Sequence, residues 1–301
     1  MPKNRKKNSL GSIVACIVVA LLGLALTIIM LLQGNNIALF DSKGMIAHEQ
    51  RSLIVTTVAI LLVIAIPALF LFFFTAWRYR ESNRKATHDP DSHHGKLLVP
   101  IIWLTPTTIA VVLALIMWPA AHRLDPKVAI AADAQPLTIQ VVAMRWKWLF
   151  IYPEQHIATV NFIQIPEHTP VTFELTADEA PMSSFWIPNL GGQLYAMTGH
   201  ENKINLVGDT PGDYTGSSAE INGAGFADMK FTTRVSSKDA FDVWTSQVQR
   251  TRTTLDTAAY ARLVKPSQNN PATFYSLSQN DLYDTVLMKY MGPDMHMDME
   301  M

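Results

Sequence analysis

Three stretches of this chain, residues 9–32, 52–77 and 97–121, contain no charged side chain. Each is longer than the roughly 20 residues with which a helix crosses a bilayer core. A soluble helix of such length keeps a polar stripe toward water, and none of the three has one. The pattern predicts two to three membrane-spanning helices. The number turns on the first stretch, because a signal segment near the N-terminus has the same apolar character.

Basic residues give the orientation. Lys3, Arg5, Lys6 and Lys7 precede the first stretch, and Arg78, Arg80, Arg84 and Lys85 lie between the second and third. Such clusters stay on the cytoplasmic side. The loop near 78–96 is therefore placed inside, and residues 33–51 and everything after about Arg123 outside. Trp77 and Trp118 close the second and third stretches, where interfacial indoles are favoured. Pro67, Pro106 and Pro119 fit in or near membrane helices at the cost of local kinks. Both clusters read as topology signals rather than as a nucleic-acid surface, so the expected surroundings are the lipid bilayer and no nucleic acid.

The single cysteine, Cys16, excludes an intrachain disulfide framework and any dithiolate metal site. Residues 13–16 have the look of a lipoprotein cleavage motif. The apolar run before Cys16 is very short and the run after it long, however, the reverse of a signal peptide's layout. A plain membrane-buried thiol is the reading, with lipidation as its alternative.

The pattern changes after the third stretch. A linker rich in Ala, Asp and Pro (124–136) leads into segments that alternate, at 137–143, 170–175 and 203–207, separated by turn signals at 153–154, 166–167, 191–192 and 209–212. Short strands at this spacing predict a Greek-key β-sandwich, with 229–235 as its last strand. Beyond it, 237–248, 254–264 and 279–290 read as small helices, with Ser237 as an N-cap. The fold class is therefore membrane-anchored mixed α and β. Its parts are a signal or signal-anchor segment at 1–35, a membrane hairpin at 36–123, an external sandwich at 124–235, a helical, aromatic-containing segment at 236–290, and a Met-rich tail at 291–301. That tail interleaves thioethers with acids and His296. Thioethers suit Cu(I), but a polar terminus of this kind is more simply a disordered end.

One loop carries the chemistry. Residues 216–229 resemble the copper loop of the oxidase subunit II family, whose pattern is G-x-C-x-E-x-C-G-x-x-H-x-x-M. Here Ser218 and Asn222 stand at the two cysteines and Phe226 at the histidine, while Glu220 and Met229 are retained. The family's other histidine, just upstream of a strand, corresponds to Ser183. A dicopper centre needs soft thiolates and imidazole nitrogens. Hydroxyls, an amide and a phenyl ring do not replace them, which predicts a metal-free, cupredoxin-like domain with Phe226 filling the vacated pocket.

Further strings narrow the resemblance to subunit II of haem–copper quinol oxidases of the cytochrome bo type. They are 38–44 with 49–53, 76–80, the specific W-K-W-x-F-x-Y-P-E-Q at 146–155, 184–190 and 193–197. The resemblance implies a subunit with no catalytic or cofactor-binding residue of its own. It would flank and cap a catalytic subunit I that holds the haems and one copper, oxidises ubiquinol, reduces oxygen to water and pumps protons in the aerobic respiratory chain. Smaller subunits III and IV are implied as partners, and the bacterial inner membrane as the site, with the sandwich in the periplasm. A quinol dissolved in the bilayer delivers electrons directly to subunit I, so the copper port becomes unnecessary. Trp146, Trp148 and Glu220 are the candidate contacts to subunit I.

Two departures accompany the resemblance. Asn35 stands where relatives carry a lipid-attachment cysteine, which favours a retained first helix. Val99, seven residues before Pro106, stands where many relatives have a Glu implicated in proton uptake. Either another group serves, with Asp91, His93 and His94 nearby, or the subunit has no such role. Two other readings stay open: a cytochrome c oxidase subunit II with altered copper ligation, and a membrane-anchored cupredoxin-like scaffold or assembly factor.

Overall fold

The computed structural model describes residues 37–38, 40–84, 98–130, 135–279 and 281–290, together with Gly23. The first apolar stretch with Cys16 and Asn35, the residues Asp91, His93 and His94, and the Met-rich tail lie outside the described residues. In the short N-terminal unit, the backbone N–H groups of Phe40 and Asp41 both donate to the Ile37 carbonyl. Everything from Lys43 onward belongs to a second compact unit.

Two helices, α1 (Met45–Arg78) and α2 (Leu98–Arg123), are long and apolar enough to cross a membrane, and their apolar side chains are exposed. Pro67 lies inside α1, and Pro106 and Pro119 inside α2. Arg123 at the end of α2 pairs with Glu49 near the start of α1 at 3.1 Å, tying these two helix ends together.

The start of α1 is built into the β-rich domain. Lys43 N–H donates to Asn189 O at 2.7 Å, Ala47 N–H to Leu190 O at 3.1 Å, and Asp209 N–H to Lys43 O at 2.8 Å. Gly44 permits this approach, because a Cβ there would lie 2.3 Å from the Val207 carbonyl oxygen.

The β-rich domain is a sandwich of two sheets. One has the order β11-β12-β3-β2-β1-β5-β8 and the other β4-β10-β9-β6-β7. The strands are β1 (Leu137–Met144), β2 (Lys147–Tyr152), β3 (Ile157–Val160), β4 (Phe162–Pro166), β5 (Val171–Ala177), β6 (Ser183–Trp186), β7 (Gln193–Ala196), β8 (Asn202–Leu206), β9 (Gly212–Ser218), β10 (Lys230–Ser236), β11 (Thr254–Leu255) and β12 (Thr273–Leu277). Helices α3 (Lys238–Gln249), α4 (Thr257–Leu263) and α5 (Leu282–Met288) follow or interrupt the last strands. Ser237 caps α3 as expected, accepting from Ala240 N–H at 3.3 Å.

The larger sheet is covered on both faces. Ile139, Val141, Trp148 and Phe150 point into the core between the sheets. Val142, Met144, Leu149 and Ile151 pack under Leu282, Tyr283, Val286 and Leu287 of α5. That is why all six residues of β2 are buried instead of alternating.

The sequence places the end of the sandwich at Val235, and the structure corrects this. β12 pairs antiparallel with β3, and β11 pairs parallel with β12, so residues 254–277 complete the sheet instead of forming a separate appendage. Residues 254–255, expected as helix, are strand, and α4 starts only after the Asp256 cap, which accepts from Ala259 N–H at 2.7 Å.

Candidate functional site

The positions that the resemblance sets at the copper ligands converge where β6, β9 and the 219–229 loop meet. Ser183 opens β6 and is fully buried, and Ser218 closes β9 at 4% exposure. The loop is fixed at its base by Ser218 N–H to Met229 O (3.2 Å) and Ala219 N–H to Ser184 O (3.0 Å).

Asn222 organises the interior. Its amide Nδ2 donates to Ser183 Oγ at 2.7 Å and to the Met229 sulfur at 3.1 Å. One side chain thereby joins three of those positions. Ser218 Oγ donates to the Glu220 carbonyl at 3.1 Å, and Ser183 Oγ to the Pro181 carbonyl at 3.2 Å. The Met229 thioether thus accepts a hydrogen bond from the amide and is the one soft donor of the set, and the two hydroxyls and the amide are hard and neutral. This set does not fit a dicopper centre. Among the described residues, no three or more His, Cys, Asp or Glu side chains gather to hold a metal ion.

Phe226 is not buried in the site. It begins a short 3₁₀ turn (Phe226–Asp228) in which no residue is buried, whereas Asn222 and Met229 are buried.

Trp146 closes the site from the other sheet. It occupies the two-residue connection between β1 and β2 with φ +64, the backbone hand that tight hairpins demand and that a bulky residue rarely adopts. Its ring lies against the loop. A Cβ on Gly225 would come within 2.4 Å of Trp146 Cγ, and one on Gly223 within 3.4 Å of Nε1. Trp146 Nε1 and Asn222 Oδ1 are both enclosed without a hydrogen-bond partner.

Of the three interface candidates, the structure removes one. Trp148 is fully buried, edge-on to Phe185 and Phe231 at 5.6 and 5.8 Å between ring centroids. It is a core residue, since β2 turns it inward, and no surface of it is left for a partner. Trp146 and Glu220 are half-buried and accessible. Val99 lies exposed in the first turn of α2.

A second polar cluster was not legible. Asp178, 1% exposed, accepts from Tyr260 Oη (2.5 Å), Tyr290 Oη (2.7 Å) and Lys289 Nζ (2.9 Å), and Lys289 also reaches Glu179 at 3.0 Å. Burial and the Asp178 hydrogen bond push the Tyr260 phenol up. The hydrogen bond to Asp178, with that to Glu179, raises the Lys289 ammonium. The cluster straps the C-terminal segment to the loop that leads into Ser183. Its partners lie 82 to 112 residues apart in the chain, and no local motif announces them. Lys147, 1% exposed, is a further buried cation whose Nζ donates to the Lys265 carbonyl at 2.7 Å and to Ser267 Oγ. Burial lowers its pKa.

Comparison with known proteins adds the following. Residues 249–294 match the family model described as the COX Aromatic Rich Motif. The chain is 43% identical over 263 residues to "Cytochrome bo(3) ubiquinol oxidase subunit 2" of Pseudomonas putida, covering 87% of this chain and 83% of that one. It is 40% identical over 271 residues to the protein of the same name from Pseudomonas aeruginosa, covering 90% and 82%. It is also 40% identical over 263 residues to "Ubiquinol oxidase subunit 2" of Acetobacter aceti, covering 87% and 85%.

Proposed function

The chain belongs to the ubiquinol oxidase subunit 2 family of the haem–copper oxidases, and from that membership we propose that it is a subunit without a redox group of its own in a proton-pumping terminal ubiquinol oxidase. It flanks the catalytic subunit with its membrane helices and caps it with the sandwich. The haems and the single copper reside in that partner, which oxidises ubiquinol and reduces oxygen to water. Smaller subunits III and IV complete the assembly. The complex lies in the bacterial inner membrane with the sandwich on the periplasmic side.

The observation that carries this reading is the donor set at positions 183, 218, 222 and 229. A subunit that received single electrons from a soluble carrier would need a low-reorganisation metal centre there. Two hydroxyls, an amide and one thioether that accepts from that amide cannot supply one. A lipid-soluble two-electron donor has no need of that port. Trp146 and Glu220, at the accessible edge of the loop, are assigned to the contact with the catalytic subunit, and His93 and His94 remain the proposed proton-uptake groups near the start of α2.

The test is isolation of the complex through a tag on this chain. Haem and one copper per assembly, with oxidation of ubiquinol but not of reduced cytochrome c, is the expected result. Isolation without a haem-bearing partner, or oxidation of cytochrome c in preference to ubiquinol, overturns it. Replacing both His93 and His94 by Ala is expected to slow turnover and pumping; unchanged rates remove them from the proton path.

A further inference from the structure

We propose that the cavity between the start of α1, the end of α2 and strand β8 is a phospholipid site, and that it takes a zwitterionic headgroup with a primary ammonium, of the phosphatidylethanolamine type. The site depends on the two membrane-length helices and on the cavity, not on which donor supplies the electrons.

The cavity measures about 420 Å³ and is lined by the first turns of α1, the end of α2 with the segment after it, and β8. That volume lies among small-molecule sites, which run to about 300–1,000 Å³. Both walls are seated without a ligand. The start of α1 is held by the Asn189 and Leu190 carbonyls. The segment after α2 is laced to β8 through Asn205, whose Nδ2 donates to Pro126 O at 3.0 Å and to Val128 O at 3.2 Å. Little order is therefore lost on binding.

Position points to lipid. The uncharged stretches of the two helices end at Ser52 and Ala121, and Glu49 and Arg123 of the cavity lie within one turn of those ends. That is the headgroup layer beside the hydrocarbon. Trp118, 72% exposed and about 7.5 Å back along α2 from Arg123, stands where interfacial indoles are favoured. Ile46, Ile204 and Leu206 give the cavity an apolar lining, which offers water few partners.

Charge selects the headgroup. Glu49, Arg123 and Asp125 all line the cavity. The Arg123 side chain is 65% exposed, and a guanidinium matches the geometry of a phosphate. Two carboxylates beside it repel a purely anionic headgroup and call for a cation next to the phosphate. Glu49 Oε2 lies 3.1 Å from Arg123 Nε, yet it is enclosed with no hydrogen-bond donor aligned on it. An ethanolamine ammonium has N–H groups to give that oxygen, and a quaternary choline has none. The phosphate is assigned to Arg123 and the ammonium to Glu49 and Asp125.

The test uses the tagged full chain, extracted from its native membranes with the partners it retains. It is exchanged into nanodiscs of phosphatidylethanolamine and phosphatidylglycerol in equal parts, or of phosphatidylcholine and phosphatidylglycerol, and the lipid still carried by this chain is counted by native mass spectrometry. One phosphatidylethanolamine is expected on the unmodified chain, with phosphatidylcholine and phosphatidylglycerol at least about tenfold less retained. Glu49→Gln and Arg123→Gln are each expected to lower that occupancy about tenfold. Because either change also loosens the tie between the helix ends, Val128→Trp supplies a second arm. Val128 lines the cavity and is 51% exposed, so a ring there obstructs the space with both charges kept, and the lipid is expected to be lost with the thermal midpoint unchanged. Phosphatidylethanolamine retained by Val128→Trp places the lipid elsewhere and overturns the site. Equal retention of the three lipids overturns the headgroup assignment, and an unmodified chain that carries no lipid overturns both. Isolation without a haem-bearing partner removes the oxidase assignment and leaves the lipid count on this chain to be read as before.

Discussion

Tyr260 donates its hydroxyl to Asp178 at 2.5 Å, joining α4 to the end of β5 across 82 residues of chain. Asp178 is 1% exposed and also holds Tyr290 and Lys289, so a single carboxylate ties together three side chains of the C-terminal segment. Asp178→Ala strands a largely enclosed phenol and is expected to cost about 2 kcal/mol, in the range for an unsatisfied buried polar group. The loss should be local. Amides of α4 and α5 are expected to exchange faster by hydrogen exchange while those of β1 and β2 keep their protection. Alkaline pH should act on the same strap. The Tyr260 pKa is raised above the ordinary 10.0, so its contribution is in place at neutral pH and is lost as pH rises past that value and the unfolded chain ionises.

Lys147 has the opposite sign. Burial holds its pKa below the ordinary 10.5, so between the lowered value and 10.5 the unfolded chain binds the extra proton. Stability therefore rises with pH through that window. Denaturant midpoints of the wild-type chain, set against Lys147→Met, are expected to diverge upward as the pH approaches 10.5 from below. At pH 7 the two should agree within about 1 kcal/mol, since the desolvation cost of the ammonium offsets its hydrogen bonds to the Lys265 carbonyl and Ser267. Parallel midpoints across the range would contradict the buried-cation account.

The features written in local residue patterns are legible in the sequence. The second and third uncharged stretches became α1 and α2, and the alternation at 137–143 became β1. Ser237 capped α3 where expected. What failed was decided by distant partners. β12 has neither face clearly buried and exists because β3, more than a hundred residues upstream, offers an open edge. At the site, the loss of metal ligands could be read from residue types alone. The amide bridge from Asn222 could not, because it depends on which way a side chain turns inside the loop. The same holds for Phe226: volume suggests a plug, while the residue lies in the 3₁₀ turn at 226–228, in which none is buried.

Trp148 tests the core. Its indole packs on Phe185 and Phe231, which themselves stack at 5.3 Å. Trp148→Ala is expected to destabilise the domain by about 3–5 kcal/mol. Trp148→Phe should cost far less, roughly 1–2 kcal/mol, because the Nε1 of Trp148 has no hydrogen-bond partner to lose. Thermal midpoints in detergent would order the three proteins. A Trp148→Ala chain as stable as wild type would show that the ring is not enclosed.

Gly225 and Trp146 are matched in shape, and that match can be probed from both sides. A methyl group at Gly225 would lie 2.4 Å from Trp146 Cγ and 2.5 Å from Cδ2, a distance no real contact tolerates. Gly225→Ala must therefore push the indole off the loop, at a cost of about 1–3 kcal/mol typical of overpacking. Trp146→Ala loses the indole's contact with the loop but also removes the obstacle. The double variant should then be less destabilised than the two single losses added together, with a coupling of about 1 kcal/mol or more. A Trp146 indole displaced into water should also shift its fluorescence to longer wavelength in Gly225→Ala. Additive losses with no spectral shift would mean that the ring and the loop do not touch. In that case the flank assigned to Trp146 would have to be held by another residue.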